Sequence, residues 1–439
     1  MHNASMNFEL LSVAKAQGQI LAAIEPLAAE RVPVDDALDR VLARDVSAAG
    51  DVPPFASAAM DGYAVLAGPA GRTLRVIGES RAGVPTELVV GAHEAIRTST
   101  GAAMPAGANA VIRQEQVETH GDRVTLRAGV AVADDIRHQG EDLASGTLVL
   151  PRGARLGISE RAGAVAAGAS ELWCARRPRV AILCTGTELR APGEPLGPGE
   201  IHNANAVTLR ALATRCGAIA APAERLVDDR PAIETALAAA LQRADVVVVS
   251  GGVSVGPHDH VKPALDALGV QQSFWGVAIQ PGKPTWFGTC DAPGRPSRRR
   301  DVGRQAGCSP PGELPRARSA PNSEGRRSRP VFGLPGNPVA AFIAFTLFVV
   351  PALLALQGVD ADPEQVAELG TKIKRNPLRE QAITVRLEHV DGRTIAVPNG
   401  PQGSNLISSL LGAEALGMIP AGTGELEAGA PLTLLRLPR

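Results

Sequence analysis

The sequence predicts a multidomain protein of the α/β plus β class. It expects a central doubly wound, mainly parallel α/β domain, a β-rich second domain, an extended linker domain and a C-terminal β-barrel-like domain. Three observations predict this. From Pro178 to Leu356, short apolar runs rich in β-branched residues alternate with helical stretches, the pattern of a parallel sheet wrapped by helices. Before and after that region the apolar runs are short and cut by turn residues. The chain of 439 residues is long enough for about three domains, and its 47 Gly and 35 Pro, above ordinary usage, favour many turns.

Taken in order, Asn7 to Ile24 has helical spacing marked by Phe8, Leu11, Ile20 and Leu21. A second short helix opens at Val34, with Asp35 as its cap. Between Val46 and Leu150, runs such as LRVIG, AVIRQEQV and RVTLRAG read as strands, and Ile158–Ala169 returns to helix. RVAILCTG (Arg179–Gly186) is a strand, and helices follow at Asn205–Cys216 and Pro231–Ala244. Val339–Leu356 is apolar except for Thr346, and Asn337-Pro338 is a good helix start. Pro351 lies inside it and no basic residue flanks it closely, so a buried core or interface helix is expected and not a membrane span. After Asp362, AITVRLEHV, RTIAVP and PLTLLRL are strands again. The domain boundaries are therefore 6–45 with 145–177 (extended linker domain), 46–144 (β-rich), 178–360 (α/β) and 361–439 (C-terminal β).

One segment departs from this. Cys290 to Pro330 holds ten arginines and seven prolines without apolar periodicity, and is expected to be a disordered, outward-pointing insert at 290–330, beginning and ending close to the cleft edge. Net charge of −1 and only eight Phe, three Trp and one Tyr argue against nucleic acid as a partner. The five cysteines have no CxxC spacing, and no secretory leader is visible. Both point to a reduced, cytoplasmic protein.

The chain is organised around Asp245–Lys262, DVVVVSGGVSVGPHDHVK. Four valines make a strand buried on both faces. Ser250-Gly251-Gly252 then turns sharply, where glycines leave backbone N–H groups bare. Ser254, Gly256, Asp259 and Lys262 follow, with Asp259 at an expected helix start. A strand, a Gly-rich turn and a helix is how α/β proteins build anion sites, although an ordinary βα turn with a solvated Asp and Lys has the same pattern. Only five basic residues are lysine, and the two mid-chain ones, Lys262 and Lys283, both lie in Gly-rich turns, where a compact ammonium approaches an anion closely.

Eight stretches complete the argument: MDGYAV (Met60–Val65), IRTSTGAAMPAGANAVI (Ile96–Ile112), RHQGED (Arg137–Asp142), ILCTGTEL (Ile182–Leu189), GEIHNAN (Gly199–Asn205), SGGVSVGPHDHVK, QPGKP (Gln280–Pro284) and GLPGNPV (Gly333–Val339). Together, in this order, they resemble the MoeA family of molybdopterin molybdenumtransferases, also met as the gephyrin E domain. The resemblance implies molybdenum cofactor biosynthesis: insertion of molybdate into adenylated molybdopterin with release of AMP. It implies Mg2+, an elongated cytoplasmic homodimer with a cleft shared between subunits, and hand-over from a molybdopterin adenylyltransferase and other proteins of the cofactor pathway, without nucleic acid or membrane. The alternatives are a gephyrin-like, non-catalytic molybdopterin-binding scaffold, or the adenylyltransferase itself.

By that resemblance Glu188 and Asp259 are metal ligands at the carboxyl edge of the sheet, with Asp228 a third acid there. Asp228 is equally well a turn or cap before Pro231. Asp61 and Asp142 face the partner's cleft and Thr100 donates to substrate, although Asp61 could form only an Asx turn and Asp142 be a loop charge. Gly251, Gly252, Ser254, Gly256 and Lys262 bind the nucleotide-pterin. Lys283 and Pro284 match the oxyanion site, completed by Arg379 with Ser408 and Ser409. No cysteine ligand is needed, because the pterin supplies its own dithiolene sulfur. Two positions depart from the family pattern: ASAAMDG (Ala56–Gly62) lacks an Asp, an Asn and a Ser, so Ala58 removes a hydroxyl, and Asn109 replaces a common acid in a turn expected to be structural.

Overall fold

The computed structural model describes residues 10–253, 259–291, 328–360 and 364–437. It divides into two units, one of Ala29–Ala175 and one of the first 28 residues with Arg176–Arg439.

In the second of these, alternate side chains of the strands Arg179–Thr185 and Val246–Ser250 feed two different cores. Val180, Ile182, Cys184, Val246 and Val248 face one side; Ala181, Leu183, Val247 and Val249 face the other. All four valines are fully buried, as a strand covered on both faces requires. Around them runs a seven-stranded sheet. Arg179–Thr185 pairs in parallel with Ile219–Ala220, Glu224–Leu226 and Val246–Ser250, and the last pairs in parallel with Ser328–Leu334. An antiparallel edge, Trp286–Asp291 and Gln271–Trp275, closes the other side. Helices Val13–Ala22, Ala204–Arg215 and Pro338–Leu356 cover one face. Arg230–Arg243 and the short Val261–Ala267 cover the other. Asp245, just before the valine strand, accepts two hydrogen bonds from Arg176 at 2.9 Å and one from the Arg179 amide. Burial raises its pKa, but these bonds outweigh burial and the net shift is downward.

The apolar helix Pro338–Leu356 is long enough to cross a membrane, yet most of it is buried in this core. Its middle, Phe345–Val349, is π-helical, just ahead of Pro351. Proline has no N–H to give to the carbonyl four residues back, that of Leu347. Gln17, on the first helix, donates to that carbonyl with its Nε2 at 2.9 Å.

The C-terminal residues form a closed five-stranded barrel from Gln365–Leu369, Glu380–Val390, Arg393–Pro398, Ala415–Ile419 and Pro431–Arg436. A sixth, two-residue strand, Ile279–Gln280, comes from the α/β part and pairs with Glu380 and Gln381.

The unit Ala29–Ala175 has a six-stranded sheet in the order Ala110–Arg113, Gly62–Val65, Glu94–Thr98, Thr73–Ser80, Arg123–Leu126, Val117–His120. A separate core gathers Val32, Ala37 and Leu42 with Leu150, Leu156, Ala164, Leu172 and Cys174, joining the two ends of the unit. The expected helix at Val34 is a single 3-10 turn, Val34–Asp36, without a side-chain cap. Ala58 is fully buried, and Asn109 accepts from the Ala67 amide at 2.7 Å, a turn role that an aspartate oxygen would fill as well.

The insert is rooted differently from the expectation that it starts at Cys290, ends at Pro330 and lies close to the cleft edge. Its flanks continue as paired strands: Cys290 opposes Arg329 and Asp291 opposes Ser328. The closed end of this ladder, Trp286 with Gly333, adjoins the carboxyl end of the valine strand, where Ser250 opposes Leu334. The open end lies five residues away, roughly 17 Å along the strands, at the amino edge of the sheet, where Arg329 donates to the Leu241 carbonyl. Residues 292–327 lie outside the described residues.

Replacing Gln17 by Leu should lower stability by about 1–2 kcal/mol, the cost of stranding a shielded carbonyl. Thermal melts of Gln17→Leu in the native and Pro351→Ala backgrounds check this. The cost should shrink in the second background, where the alanine supplies the N–H that proline lacks.

Candidate functional site

At the carboxyl edge of the sheet, Gly251 and Gly252 take φ of +91° and +63°. A Cβ on Gly251 would meet the Thr185 carbonyl oxygen at 2.6 Å, and one on Gly252 would meet Val261 Cγ2 at 2.6 Å. Backbone conformation and space therefore both demand glycine here. The turn is held from below. The Gly251 amide donates to Leu334 O, and Ser250 Oγ donates to Pro335 O. Asn205 Nδ2 donates to Ser250 Oγ at 2.9 Å and to Gly336 O at 2.7 Å.

Above the turn is a cavity of about 360 Å³, lined by Gly251, Gly252, Thr185, Glu188, Asn205 and Asn337 among others. The Thr185 hydroxyl is buried against the glycines and has no hydrogen-bond partner among the described residues. Cys184 also reaches this wall, but burial pushes its thiol up to about 11, so it is not a thiolate. Asp228 is not in the lining. Its carboxylate accepts from the Thr187 amide at 3.1 Å and hydroxyl at 3.2 Å, fixing the loop that presents Glu188. The helix cap before Pro231 is its neighbour Asp229, which accepts from the Ala232 amide.

Asp259 sits behind the turn, ahead of the seven-residue helix Val261–Ala267. Both its oxygens are shielded from solvent and close no hydrogen bond of normal geometry among the described residues. Burial raises its pKa to about 6, against the lowering effect of Lys262 and of the Val261 and Lys262 amides. Lys262 is lowered by burial and partly restored by Asp259, and its ammonium lies 4.5 Å from the centroid of the Trp275 ring. Trp275 in turn donates to Val253 O. Ser254 and Gly256 fall outside the described residues.

A second cavity, about 370 Å³, adjoins the first and shares Pro284, Pro335 and Asn337 with it. It brings Lys283 and Arg379 together with Gln280, Gln402 and Ser404. Lys283 follows Gly282, whose φ is +120°. Arg379 is set by Asn376, whose Oδ1 accepts from the Leu378 and Arg379 amides and whose Nδ2 donates to Gln280 Oε1. Ser408 and Ser409 are not in this wall. Ser409 is fully buried, and its carbonyl accepts from Asn399 Nδ2. Ser404, which sequence reasoning passed over, is the serine that reaches the cavity; its only signal was the small-residue run GPQGS. Asn205 and Asn337 were quoted within motifs without a role.

In the other unit, Asp61 and Thr100 do meet. The Thr100 amide and hydroxyl donate to Asp61 Oδ1 at 2.7 and 3.0 Å, the amide first and the hydroxyl second in holding its pKa below the usual carboxylate value. Asp142 is exposed, and its amide donates to Val52 O.

Among the described residues no three His, Cys, Asp or Glu side chains cluster as a metal cage. The shielded, unpartnered oxygens of Asp259 nevertheless suit a cation. Mg2+ in phosphate chemistry binds through one or two carboxylates plus the substrate's phosphates, without a protein cage.

Family models match almost the whole chain: one described as the MoeA N-terminal region (domain I and II) over residues 11–168, one as a probable molybdopterin binding domain over 181–355, and one as the MoeA C-terminal region (domain IV) over 366–437. A molybdopterin molybdenumtransferase of Haemophilus influenzae is 30% identical over 433 residues, covering 97% of this chain and 98% of that protein. Molybdopterin molybdenumtransferase 2 of Mycobacterium tuberculosis is 32% identical, covering 91% and 93%. A solved structure of a molybdopterin biosynthesis MoeA protein from Pyrococcus horikosii superposes with a TM-score of 0.77 at 29% identity, covering 98% of this chain and all of that one.

A carboxylate whose folded pKa is raised favours folding at low pH, and that advantage is lost as pH rises from the unfolded value near 4 through about 6. In a chelating buffer, Asp259→Asn should therefore raise stability above pH 6 by about 1–2 kcal/mol, a figure discounted because the residue as a whole is only partly buried. The gain should vanish below about pH 4. Melting temperatures across that range check the sign.

Proposed function

We propose that this chain, which belongs to the MoeA family, is a molybdopterin molybdenumtransferase that inserts molybdenum into adenylated molybdopterin and releases AMP. The observation that carries the reading is the pair of adjoining cavities in one unit: the first with a bare-backbone glycine turn, the second with the Lys283–Arg379 cation pair. A nucleotide-linked pterin needs the first kind of surface. Molybdate, a tetrahedral dianion, needs the second.

In this reading the Gly251–Gly252 turn and the Thr185 hydroxyl receive the phosphates, and Asn205 keeps the turn in shape. Lys283, Arg379 and Ser404 hold molybdate by charge and hydrogen bonds. Asp259 and Glu188 would hold Mg2+, which when bound neutralises charge on the phosphates. Asp259 is half-desolvated and its oxygens close no hydrogen bond of normal geometry, which leaves them ready for a cation at a cost to the fold. Lys262, tied to Trp275 and balanced by Asp259, adds positive charge behind the turn. Water attacks phosphorus, the phosphoanhydride breaks and AMP leaves. The two dithiolene sulfurs bind molybdenum, and their two protons leave with one displaced oxide as water.

A homodimer, a cytoplasmic setting and hand-over from an adenylyltransferase are parts of the same proposal. In that homodimer Asp61, pre-aligned by Thr100, and the exposed Asp142 are the acids offered to the partner subunit's cleft. The four free cysteines among the described residues are consistent with a reducing compartment.

The test is AMP release from adenylated molybdopterin with and without molybdate. Release that requires molybdate is expected, and release indifferent to it, or none, counts against the reading. Asp259→Ala should reduce release by at least about a hundredfold, as loss of a principal electrostatic contact does. Added Mg2+ should raise the melting temperature of the native protein but not that of this variant. Equal shifts in both would remove Asp259 from metal binding.

A further inference from the structure

Asn337 occupies a singular place: among the described residues it is the one polar side chain that lines both cavities. It is also the N-cap residue of the helix that begins at Pro338, with the extended backbone of a cap (φ −63°, ψ 131°), yet its side chain makes no capping hydrogen bond. An asparagine at this position ordinarily turns its oxygen inward to accept from the first turn. Here the side chain reaches out to the barrel loop, and Nδ2 donates to Ser404 Oγ at 3.0 Å. The loop is pinned a second time by the Val339 amide, which donates to the Ser404 carbonyl at 3.1 Å.

The direction of the first bond has a chemical consequence. A serine hydroxyl has one proton and two lone pairs. Because the Asn337 amide commits a donor to it, Ser404 Oγ is the acceptor, and its own proton remains to be given elsewhere. Ser404 lines the cavity that holds Lys283 and Arg379. We propose that Asn337 is a positioning residue that fixes the Ser404 hydroxyl as a donor toward the oxyanion of the second cavity. This rests on the oxyanion reading given above. It goes beyond it by assigning the direction of the Ser404 hydroxyl to the Asn337 amide.

The test is equilibrium binding of molybdate to the purified full-length protein by calorimetry, with melting temperature followed for every variant. Asn337→Ala removes the amide donor and lets the hydroxyl rotate. Asn337→Asp keeps the shape but replaces the donor with an acceptor, which takes the Ser404 proton for itself. The expected order is native tightest, then Asn337→Ala, then Asn337→Asp, the last weaker than native by at least about tenfold, the usual worth of a hydrogen bond to a charged group. In a Ser404→Ala background, Asn337→Ala should cause no further loss. Because Asn337 lines this cavity, the added charge of Asp weakens dianion binding by itself, so the decisive result is the double variant: a purely structural role for Asn337 predicts that the Asn337→Ala loss adds in the Ser404→Ala background, and that result overturns the proposal. Failure of the native protein to bind molybdate would overturn the oxyanion reading first and this inference with it. Native-like binding of molybdate by Asn337→Asp overturns this inference alone.

Discussion

Two residues of β-ladder, Ile279 and Gln280 against Glu380 and Gln381, hold the most consequential alignment in this protein. They fasten the α/β part to the barrel through backbone hydrogen bonds, reinforced by the Glu380 amide donating to Ala278 O. Lys283 comes from a turn just beyond one member of the ladder and Arg379 from just before the other. Neither cation could face the same cavity unless that register held. Side chains then refine what the backbone imposes. Asn376 reaches from the barrel to Gln280 while its oxygen gathers the Leu378 and Arg379 amides. The fold thus places two cations in the wall of one cavity.

The same logic governs the first cavity. Its floor is main chain, because Gly251 and Gly252 leave no room for a Cβ. Its wall carries one group whose ordinary need is unmet, the Thr185 hydroxyl, and behind the turn the two oxygens of Asp259 close no hydrogen bond of normal geometry. Buried polar atoms without partners destabilise a fold. The surrounding structure tolerates them because the four-valine strand and the two cores on either side are complete. Even the proline in the long apolar helix is accommodated, with Gln17 satisfying the carbonyl that Pro351 cannot serve. The other shielded side-chain atoms without a partner among the described residues, Arg40 Nε, Thr98 Oγ1 and Ser409 Oγ, line neither cavity.

What the sequence made legible was local. The valine run, the glycine turn, the asparagine–proline helix start and the C-terminal strands are each decided by neighbours a few residues away, and all are present. What it left hidden depends on closure at long range. Ser404 rather than Ser408 or Ser409 meets the second cavity because the barrel loop is pinned to Asn337 and Val339, and no periodicity in the loop signals that pin. Asp228 was legible as an acid beside the site, but whether it faced the ligand or Thr187 depended on how two distant loops meet. The root of the insert was misplaced for a related reason. Its flanks read as arginine-rich linker, whereas cross-strand pairing with Trp286–Asp291 carries the sheet through them.

That hairpin offers a practical opening. Its paired end is locked into the sheet beside the cavities, while its open end faces away at the opposite edge. Chain added between its strands has its loop-closure cost rise only by about 0.6 kcal/mol for each doubling in length. An affinity handle, a fluorescent reporter or a second enzyme of the same pathway could be spliced in at this point. The fusion would ride on the far side of the sheet, where its bulk is kept a strand's length from the chemistry.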